Sequence, residues 1–183
     1  DWISNSMSMM SYATSGFVAI TLAEYIRRLG YSAKAHYAPY YDLMVPPILL
    51  MAGLGEMSRM GDTVLHPFMG PRFKAAVVTT DLPMTPDKPI DFGLQDFCSQ
   101  CKKCARECPS KAISDGDKIM HNGYEKWPLD VQKCTTMRVG NQHGSGCGTC
   151  VKVCPWSKPY TPFHRAVNWT MRNIKFARRF GIW

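Results

Sequence analysis

The sequence predicts a mixed α/β fold in which helices and strands precede a cysteine-rich region, and three observations support this. Helical spacing of apolar residues alternates with short β-branched runs over the first 80 residues. A linker over 82–93 then holds three prolines. All eight cysteines of the 183-residue chain follow within 98–154. We expect a division into residues 1–92, 93–162 and a helical tail over 163–183.

Two helices and two strands are predicted before the linker. Apolar residues recur at helical spacing after Gly16, and Gly30 provides a stop. The start of this helix is open by several residues, so Tyr12 can lie on it. Pro46-Pro47 predicts the beginning of a second helix. The expected elements are helices over 16–30 and 48–60, strands over 31–35 and 73–80, and an aromatic loop over 36–41.

Two further elements are predicted later in the chain. Residues 113–120 are compatible with a small hairpin around Gly116. A last helix is expected over 166–180, after the turn at Pro155. The longest apolar run, 44–54, is about half of the ~20 residues that a membrane-spanning helix needs. No membrane span is therefore predicted.

The cysteine spacing is typical of a ferredoxin with two [4Fe-4S] clusters. The pattern is Cys98-x-x-Cys101-x-x-Cys104-x-x-x-Cys108-Pro109, then Cys134, then Cys147-x-x-Cys150-x-x-x-Cys154-Pro155. In two-cluster ferredoxins the cysteine before proline binds the cluster of the other motif. The predicted ligands of cluster 1 are Cys98, Cys101, Cys104 and Cys154, and those of cluster 2 are Cys108, Cys134, Cys147 and Cys150.

Two other uses of the cysteines fit the spacing less well. Zinc ribbons use Cys-x-x-Cys pairs, but they do not call for a third cysteine at the same interval with Cys-Pro after it. A disulfide framework is expected mainly in small secreted domains. Two [4Fe-4S] clusters account for all eight cysteines, so we favour them.

The formal net charge of +8 suggests an anionic partner. A basic surface can bind nucleic acid, but the sequence has no recognisable nucleic-acid-binding motif. We expect the charge to offset the clusters and to form a solvated or partner-docking face, and we predict no nucleic-acid partner. The chain begins at Asp1 without Met and ends in a basic helical pattern, so we interpret it as part of a longer protein.

Several stretches around and between the cysteines form a recognisable set. The most specific is the block 87–113, which begins Asp87-Lys88-Pro89-Ile90-Asp91. The others are Gly53-Leu54-Gly55-Glu56, Gly70-Pro71-Arg72-Phe73, Thr80-Asp81-Leu82-Pro83 and Val153-Cys154-Pro155-Trp156. Together they resemble the C-terminal half of the catalytic subunit of a corrinoid-dependent reductive dehalogenase, and the likeness covers nearly the whole chain.

This resemblance implies an oxidoreductase that removes halide reductively from an organohalide. The implied cofactors are a base-off corrinoid of the cobalamin type and the two [4Fe-4S] clusters, which supply it with electrons. The implied fold is an incomplete, nitroreductase-like corrinoid-binding α/β domain followed by a ferredoxin-like domain. A base-off corrinoid without a protein imidazole agrees with the absence of Asp-x-His-x-x-Gly among the five histidines.

The resemblance also implies catalytic and binding roles. In the family a tyrosine donates the proton and a basic residue about sixty positions downstream assists it, which assigns these roles to Tyr12 and Arg72. A guanidinium near a phenol favours the phenolate and so eases proton transfer near neutral pH. The expected contacts to the corrinoid or to the substrate cavity are His36, Tyr40, Gly53, Gly55, Gly70, Met137 and His143. Helix packing and turn geometry are the alternative use of the glycines.

Location and partners are likewise implied by the resemblance. They are a twin-arginine leader, export to the outer face of the cytoplasmic membrane, a small membrane anchor subunit and an electron-donating chain. Ferredoxin-type clusters without a fused reductase favour organohalide respiration, with a catabolic role left open. The particular organohalide and the oligomeric state are also left open.

Two other functions compete with dehalogenation. Epoxyqueuosine reductase shares the corrinoid and two-cluster plan, acts on a modified tRNA base, and uses a carboxylate acid where this chain has Tyr12. A plain electron-transfer module needs only residues 98–154 and leaves the first 92 residues unexplained.

Overall fold

The computed structural model describes residues 2–140, 146–159 and 161–179. Within these ranges the chain mixes α-helices with three separate two-stranded antiparallel sheets. The helices are α1 (Trp2–Arg28), α2 (Val45–Met51), α3 (Leu94–Cys101), α4 (Lys103–Arg106), α5 (Val131–Val139), α6 (Thr149–Val153) and α7 (Pro162–Asn173). The strands are β1 (Ala33–His36), β2 (Glu56–Met57), β3 (Val64–Leu65), β4 (Val77–Thr80), β5 (Ile119–His121) and β6 (Tyr124–Lys126). Short 3₁₀ turns lie over Pro155–Ser157 and Phe176–Arg179.

Helix α1 packs on the β1–β4 sheet through a face of small residues. Gly16 is buried, and a Cβ there would lie 3.0 Å from the Tyr37 ring. Ala19, Ala23 and Ile26 continue the same buried face. The helix is longer than predicted and carries Tyr12. It has 27 residues, yet neither it nor any other helix in the described ranges combines the length and apolar character of a membrane span.

The β1–β4 sheet confirms both predicted strands, in shorter form. The strands run antiparallel, with Ala33 opposite Thr80 and His36 opposite Val77. The sheet therefore brings the residues just before β4 close to the loop that follows β1.

The second predicted helix was too long. Helix α2 ends at Met51, and the chain turns through Gly53, whose φ of +66° lies in the left-handed region that favours glycine. Residues expected to be helical instead form β2, which pairs with β3 through the turn at Gly61.

The predicted hairpin was misplaced. The hairpin is β5–β6, and its turn is Asn122-Gly123, both with positive φ. An Asn-Gly pair in these conformations is the preferred two-residue turn of a β-hairpin. Ile113 instead bridges to Leu129.

The later helices also differ from the predictions. Helix α5, which carries Cys134, was not predicted; Asp130 caps it, because its carboxylate accepts the Lys133 amide. Helix α7 begins at Pro162 rather than at 166. Its last expected residue, 180, lies outside the described residues.

One apolar core joins the linker, the cysteine helices and part of the first region. Trp156 lies edge-on to Phe92 and Phe97, with ring centroids 5.2 and 6.0 Å away. Met60 and Leu65 belong to the same buried cluster. The core thus crosses the predicted boundary at 92, and the three-part division stays a prediction.

Candidate functional site

The cysteines form two groups in the fold. Cys98 and Cys101 lie on α3, Cys104 lies on α4, and together with Cys154 they line one cavity. The other four also lie near one another: burial, and then charge repulsion from Cys134, Cys147 and Cys108, raises the pKa of Cys150. These groups are the predicted ligand sets of clusters 1 and 2.

A repeated backbone pattern explains the grouping. Cys101 is followed by Lys102 and Cys147 by Gly148, and both following residues are left-handed and begin a short helix. These helices, α4 and α6, pack against each other. Each then leads to a Cys-Pro pair, Cys108-Pro109 and Cys154-Pro155. The last cysteine of one motif thereby reaches the first cysteines of the other.

Of the thiols predicted to hold cluster 1, Cys98, Cys101 and Cys154 are buried and Cys104 is partly buried. Burial raises the pKa of Cys104 to about 11 and that of Cys154 to about 12, and repulsion from neighbouring thiolates adds to both shifts. The pKa of Cys98 is raised further, again mainly by burial. A buried thiol favours its neutral form until a metal replaces its proton.

Cys108 differs from these thiols. Burial acts to raise its pKa, but hydrogen bonds from the Ser110 hydroxyl and from the amides of Ile113 and Ala112 outweigh burial and lower it. The Ala112 amide lies 3.3 Å from the Cys108 sulfur. Such donors stabilise a thiolate, as cluster ligation requires.

The residues present fit two cubane clusters. Each group supplies four thiols, drawn from both cysteine motifs. The free cysteines form no disulfide in the described structure.

Tyr12 lies in a polar cluster beside the β1–β4 sheet. The Lys74 ammonium is 4.5 Å from the centroid of its ring. Tyr41 is also a neighbour: burial, followed by repulsion from Tyr12, raises the Tyr41 pKa. The Tyr41 hydroxyl donates to the Ala75 carbonyl at 2.9 Å. A half-buried phenol next to a cation has the composition of a proton-donating site.

Arg72 has another partner. Its guanidinium donates to the Lys158 carbonyl at 2.6 Å, a contact that ties the first region to the chain after cluster 1. Lys74 is the cation placed on the Tyr12 ring. Sequence reasoning missed Lys74, although it stands only two positions beyond Arg72 and fits the same approximate interval from Tyr12.

The two predicted contacts in the aromatic loop differ in exposure. His36 is 3% exposed, and both ring nitrogens have partners: Nδ1 accepts the Asp42 amide at 3.4 Å, and Nε2 lies 3.0 Å from the Thr79 hydroxyl. Tyr40 is 70% exposed and packs edge-on against Tyr37. Of the two, Tyr40 is the one open to a ligand.

The predicted glycine contacts have packing reasons of their own. A Cβ on Gly53 would meet the Lys88 carbonyl, 2.5 Å away. Cβ atoms on Gly55 and Gly70 would collide with the carbonyls of Leu65 and Trp156. The structure thus supports the alternative of close backbone packing, and corrinoid contact at these glycines stays a prediction.

The last two predicted contacts lie around helix α5. Met137 lines an open groove with Ser110, Asp130 and Thr136. His143 lies outside the described residues. Their predicted place in a substrate cavity stays untested.

A family model described as a 4Fe-4S double cluster binding domain matches residues 97–157. The match contains all eight cysteines. It agrees with the two groups of thiols described above.

Curated relatives extend the similarity to most of the chain. The tetrachloroethene reductive dehalogenase of Sulfurospirillum multivorans is 40% identical over 162 residues, which are 85% of this chain and 31% of the relative. That of Dehalobacter restrictus is 40% identical over 173 residues, or 88% of this chain and 30% of the relative. The chain therefore spans about a third of the length of these relatives.

Among solved structures, the catabolic reductive dehalogenase NpRdhA matches with a TM-score of 0.97 and 53% identity, over 100% of this chain and 26% of that one. The same enzyme has been solved in complex with 3-bromo-4-hydroxybenzoic acid. A reductive dehalogenase structure described as suggesting a mechanism for B12-dependent dehalogenation matches equally well.

Epoxyqueuosine reductases are more distant. That of Atelocyanobacterium thalassa is 30% identical over 60% of this chain and 36% of its own length. The solved enzyme from Streptococcus thermophilus has a TM-score of 0.57 at 19% identity, over 78% of this chain and 38% of that one, and so supports the fold alone.

Proposed function

The chain belongs to the reductive dehalogenases, and from this premise we propose that the whole protein removes halide from an organohalide by reduction. In the balanced reaction the carbon–halogen bond breaks, the halogen leaves as halide, and carbon gains one proton and two electrons. The observation that carries the proposal is the presence, in one fold, of two four-cysteine groups and of a tyrosine with a cation on its ring.

The cysteines would hold two [4Fe-4S] clusters that deliver the electrons. The ligand sets are those predicted, Cys98, Cys101, Cys104 and Cys154 for cluster 1 and Cys108, Cys134, Cys147 and Cys150 for cluster 2. After burial, the charge of Cys150 in the second set helps to raise the pKa of Cys104 and of Cys154 in the first set, so the two sets approach at these residues. Electrons would pass between the clusters here.

The corrinoid, when bound, supplies the reducing centre at which the carbon–halogen bond is cleaved. This chain contributes the proton. Tyr12 would give its phenolic proton to the carbon that loses halide, and Lys74 would stabilise the phenolate left behind. Solvent would then return a proton to Tyr12.

Lys74 replaces Arg72 as the assisting cation in this proposal. An ammonium near a phenolate stabilises it by Coulombic attraction, and the Lys74 ammonium lies against the Tyr12 ring. Arg72, which binds the Lys158 carbonyl, would have a structural role.

The experiment uses the full-length protein, reconstituted anaerobically with iron, sulfide and corrinoid. Reduced methyl viologen drives halide release from chlorinated ethenes, chlorinated aromatics and 3-bromo-4-hydroxybenzoic acid. We expect release from at least one compound, at least a tenfold loss in Lys74→Met and a smaller loss in Arg72→Met. Greater loss in Arg72→Met, with iron and cobalt retained, would return the role to Arg72. Eight bound irons with no bound cobalt would leave an electron-transfer module.

The proposal also covers the metabolic role and the cellular location of the protein. The sequence favoured respiration, but the 53% identity to an enzyme named catabolic, against 40% for the tetrachloroethene enzymes, favours a catabolic role. Membrane attachment, an anchor subunit and export stay predictions from the resemblance. Fractionation of cells that express the full-length protein tests them. If the protein is recovered with the cell envelope, and is released from it when an anchor subunit is deleted, the result would support the respiratory alternative.

A further inference from the structure

Arg59 is a buried cation that forms no ion pair with a carboxylate in the part of the chain that the structure describes. Its side chain is 2% exposed. None of the ion pairs between described residues includes it. Asp115, whose charge acts on Arg59, is exposed and forms no ion pair with it in the described ranges. Burying an unpaired charge is expensive, so its retention calls for an anion.

The guanidinium is fixed in one orientation. It donates to the carbonyls of Cys98 at 2.8 Å, Gly116 at 2.8 Å, Ser114 at 3.0 Å and Ser99 at 3.4 Å. Its central carbon, Cζ, also lies 4.7 Å from the centroid of the Trp127 ring. A lysine cannot reproduce this fork of donors.

Arg59 and Glu56 hold opposite ends of helix α3. The Glu56 carboxylate accepts the amides of Phe92 at 2.7 Å and Leu94 at 3.2 Å, where the helix begins. Arg59 binds carbonyls near its C-terminal end. An anion at the N-terminus and a cation at the C-terminus both complement the helix dipole. The short segment from Glu56 to Arg59 thereby fixes helix α3, which carries Cys98 and Cys101.

The anion nearest Arg59 is the ligand set of cluster 1. Arg59 lines the cavity that the four cysteines enclose. Its backbone amide also hydrogen-bonds to Cys98. Half-buried Lys102 lines the same cavity.

We propose that Arg59 is a positioning residue that raises the reduction potential of cluster 1. A cluster gains one negative charge when it accepts an electron, and a fixed cation nearby stabilises that reduced state. Net charge and hydrogen bonds to sulfur are two of the terms that set cluster potentials. The inference rests on the ligation proposed above. It states that cluster 1 has a higher reduction potential with Arg59 present than it would have without this cation.

The test is a redox titration of the reconstituted full-length protein, followed by EPR of both clusters. Arg59→Met removes the charge, whereas Arg59→Lys keeps it. Arg106→Met is the matched control, because Arg106 donates to the Cys101 carbonyl at 3.0 Å but is exposed to solvent. In Arg59→Met we expect the reduction equilibrium of one cluster to fall about tenfold, or about 59 mV for one electron. Arg59→Lys and Arg106→Met should shift it less than half as far.

Every outcome bears on the proposal. An unchanged potential in Arg59→Met with full iron content overturns it, and so does an equal shift in Arg106→Met. If Arg59→Met loses the iron of cluster 1 and Arg59→Lys retains it, the potential of Arg59→Lys decides: a value near that of the wild type supports the proposal, and a tenfold fall in the reduction equilibrium despite the retained charge overturns it. If both lose that iron, the role is structural and the proposal fails. A wild-type protein that takes up fewer than about eight irons contradicts the proposed function itself.

Discussion

Replacing Gly70 by alanine tests whether this glycine serves cluster 1 or the corrinoid. Gly70 has a φ of +61°, and its missing Cβ points at the Trp156 carbonyl. An L-residue in the left-handed region costs about 1–2 kcal/mol. Relief of the overlap requires the backbone of Trp156 to move, and overpacking of this kind costs about 1–3 kcal/mol more. Trp156 is 4% exposed and follows Cys154 by two residues, so its displacement should loosen cluster 1.

Gly123→Ala is the matched control for the backbone conformation. Its φ is +87°, and a Cβ there meets nothing within 4 Å. It should cost only the ~1–2 kcal/mol of the left-handed conformation. Urea unfolding of the reconstituted full-length protein and iron loss to a chelator would be compared in the two variants.

Gly70→Ala should be the less stable variant by about 1–3 kcal/mol and should lose iron faster. Equal stability and equal iron retention would refute the argument from Trp156. Loss of cobalt with all iron retained would instead support the corrinoid contact that the sequence predicted for Gly70.

Glu56→Ala leaves two buried backbone amides without their acceptor and should lower the free energy of unfolding by about 3 kcal/mol; a change below ~0.5 kcal/mol in urea unfolding would contradict this. Cys134→Ala should abolish the EPR signal of one cluster and keep the other; loss of neither would remove Cys134 from the ligands. The pKa of Cys104 is raised from 9.0 to about 11. Below pH 9 the thiol is therefore neutral in both the folded and the unfolded iron-free protein, and its contribution to stability is complete there. This stability should decline as the pH rises towards 11, and a thermal melting temperature that is constant from pH 8 to 11 would contradict it.

The sequence predicted the cysteine groups because their spacing controls the local backbone. Cys101 stands three positions after Cys98, and Cys104 three positions after Cys101, so one helix and the left-handed turn at Lys102 suffice to bring them together. Cys108 and Cys154 each join the cysteines of the other motif, and this exchange follows from the repeat of the motif.

Elements that depend on glycine conformation or tertiary contacts were harder to predict. Helix α2 has apolar residues that continue past its end, and only the left-handed turn at Gly53 stops it. Asn122-Gly123 is a strong local signal for a hairpin turn, stronger than the lone Gly116 on which the predicted hairpin was centred.

The choice between Arg72 and Lys74 required the fold. Arg72 and Lys74 stand two positions apart, just before strand β4, and no sequence pattern specifies which of the two cations reaches Tyr12. Likewise, Arg59 belongs to no motif, and only the fold shows that it is buried beside cysteines that begin 39 residues later.

The most direct test of the account is halide release by the Tyr12→Phe variant of the full-length protein, with iron and cobalt measured on the same sample. The account predicts about eight irons and one cobalt in both proteins, with halide release by the wild type and at least a hundredfold less by the variant. Wild-type halide release in Tyr12→Phe would contradict the assignment of the proton donor, and a wild type that binds both cofactors but releases no halide from any organohalide tested would contradict the proposed function.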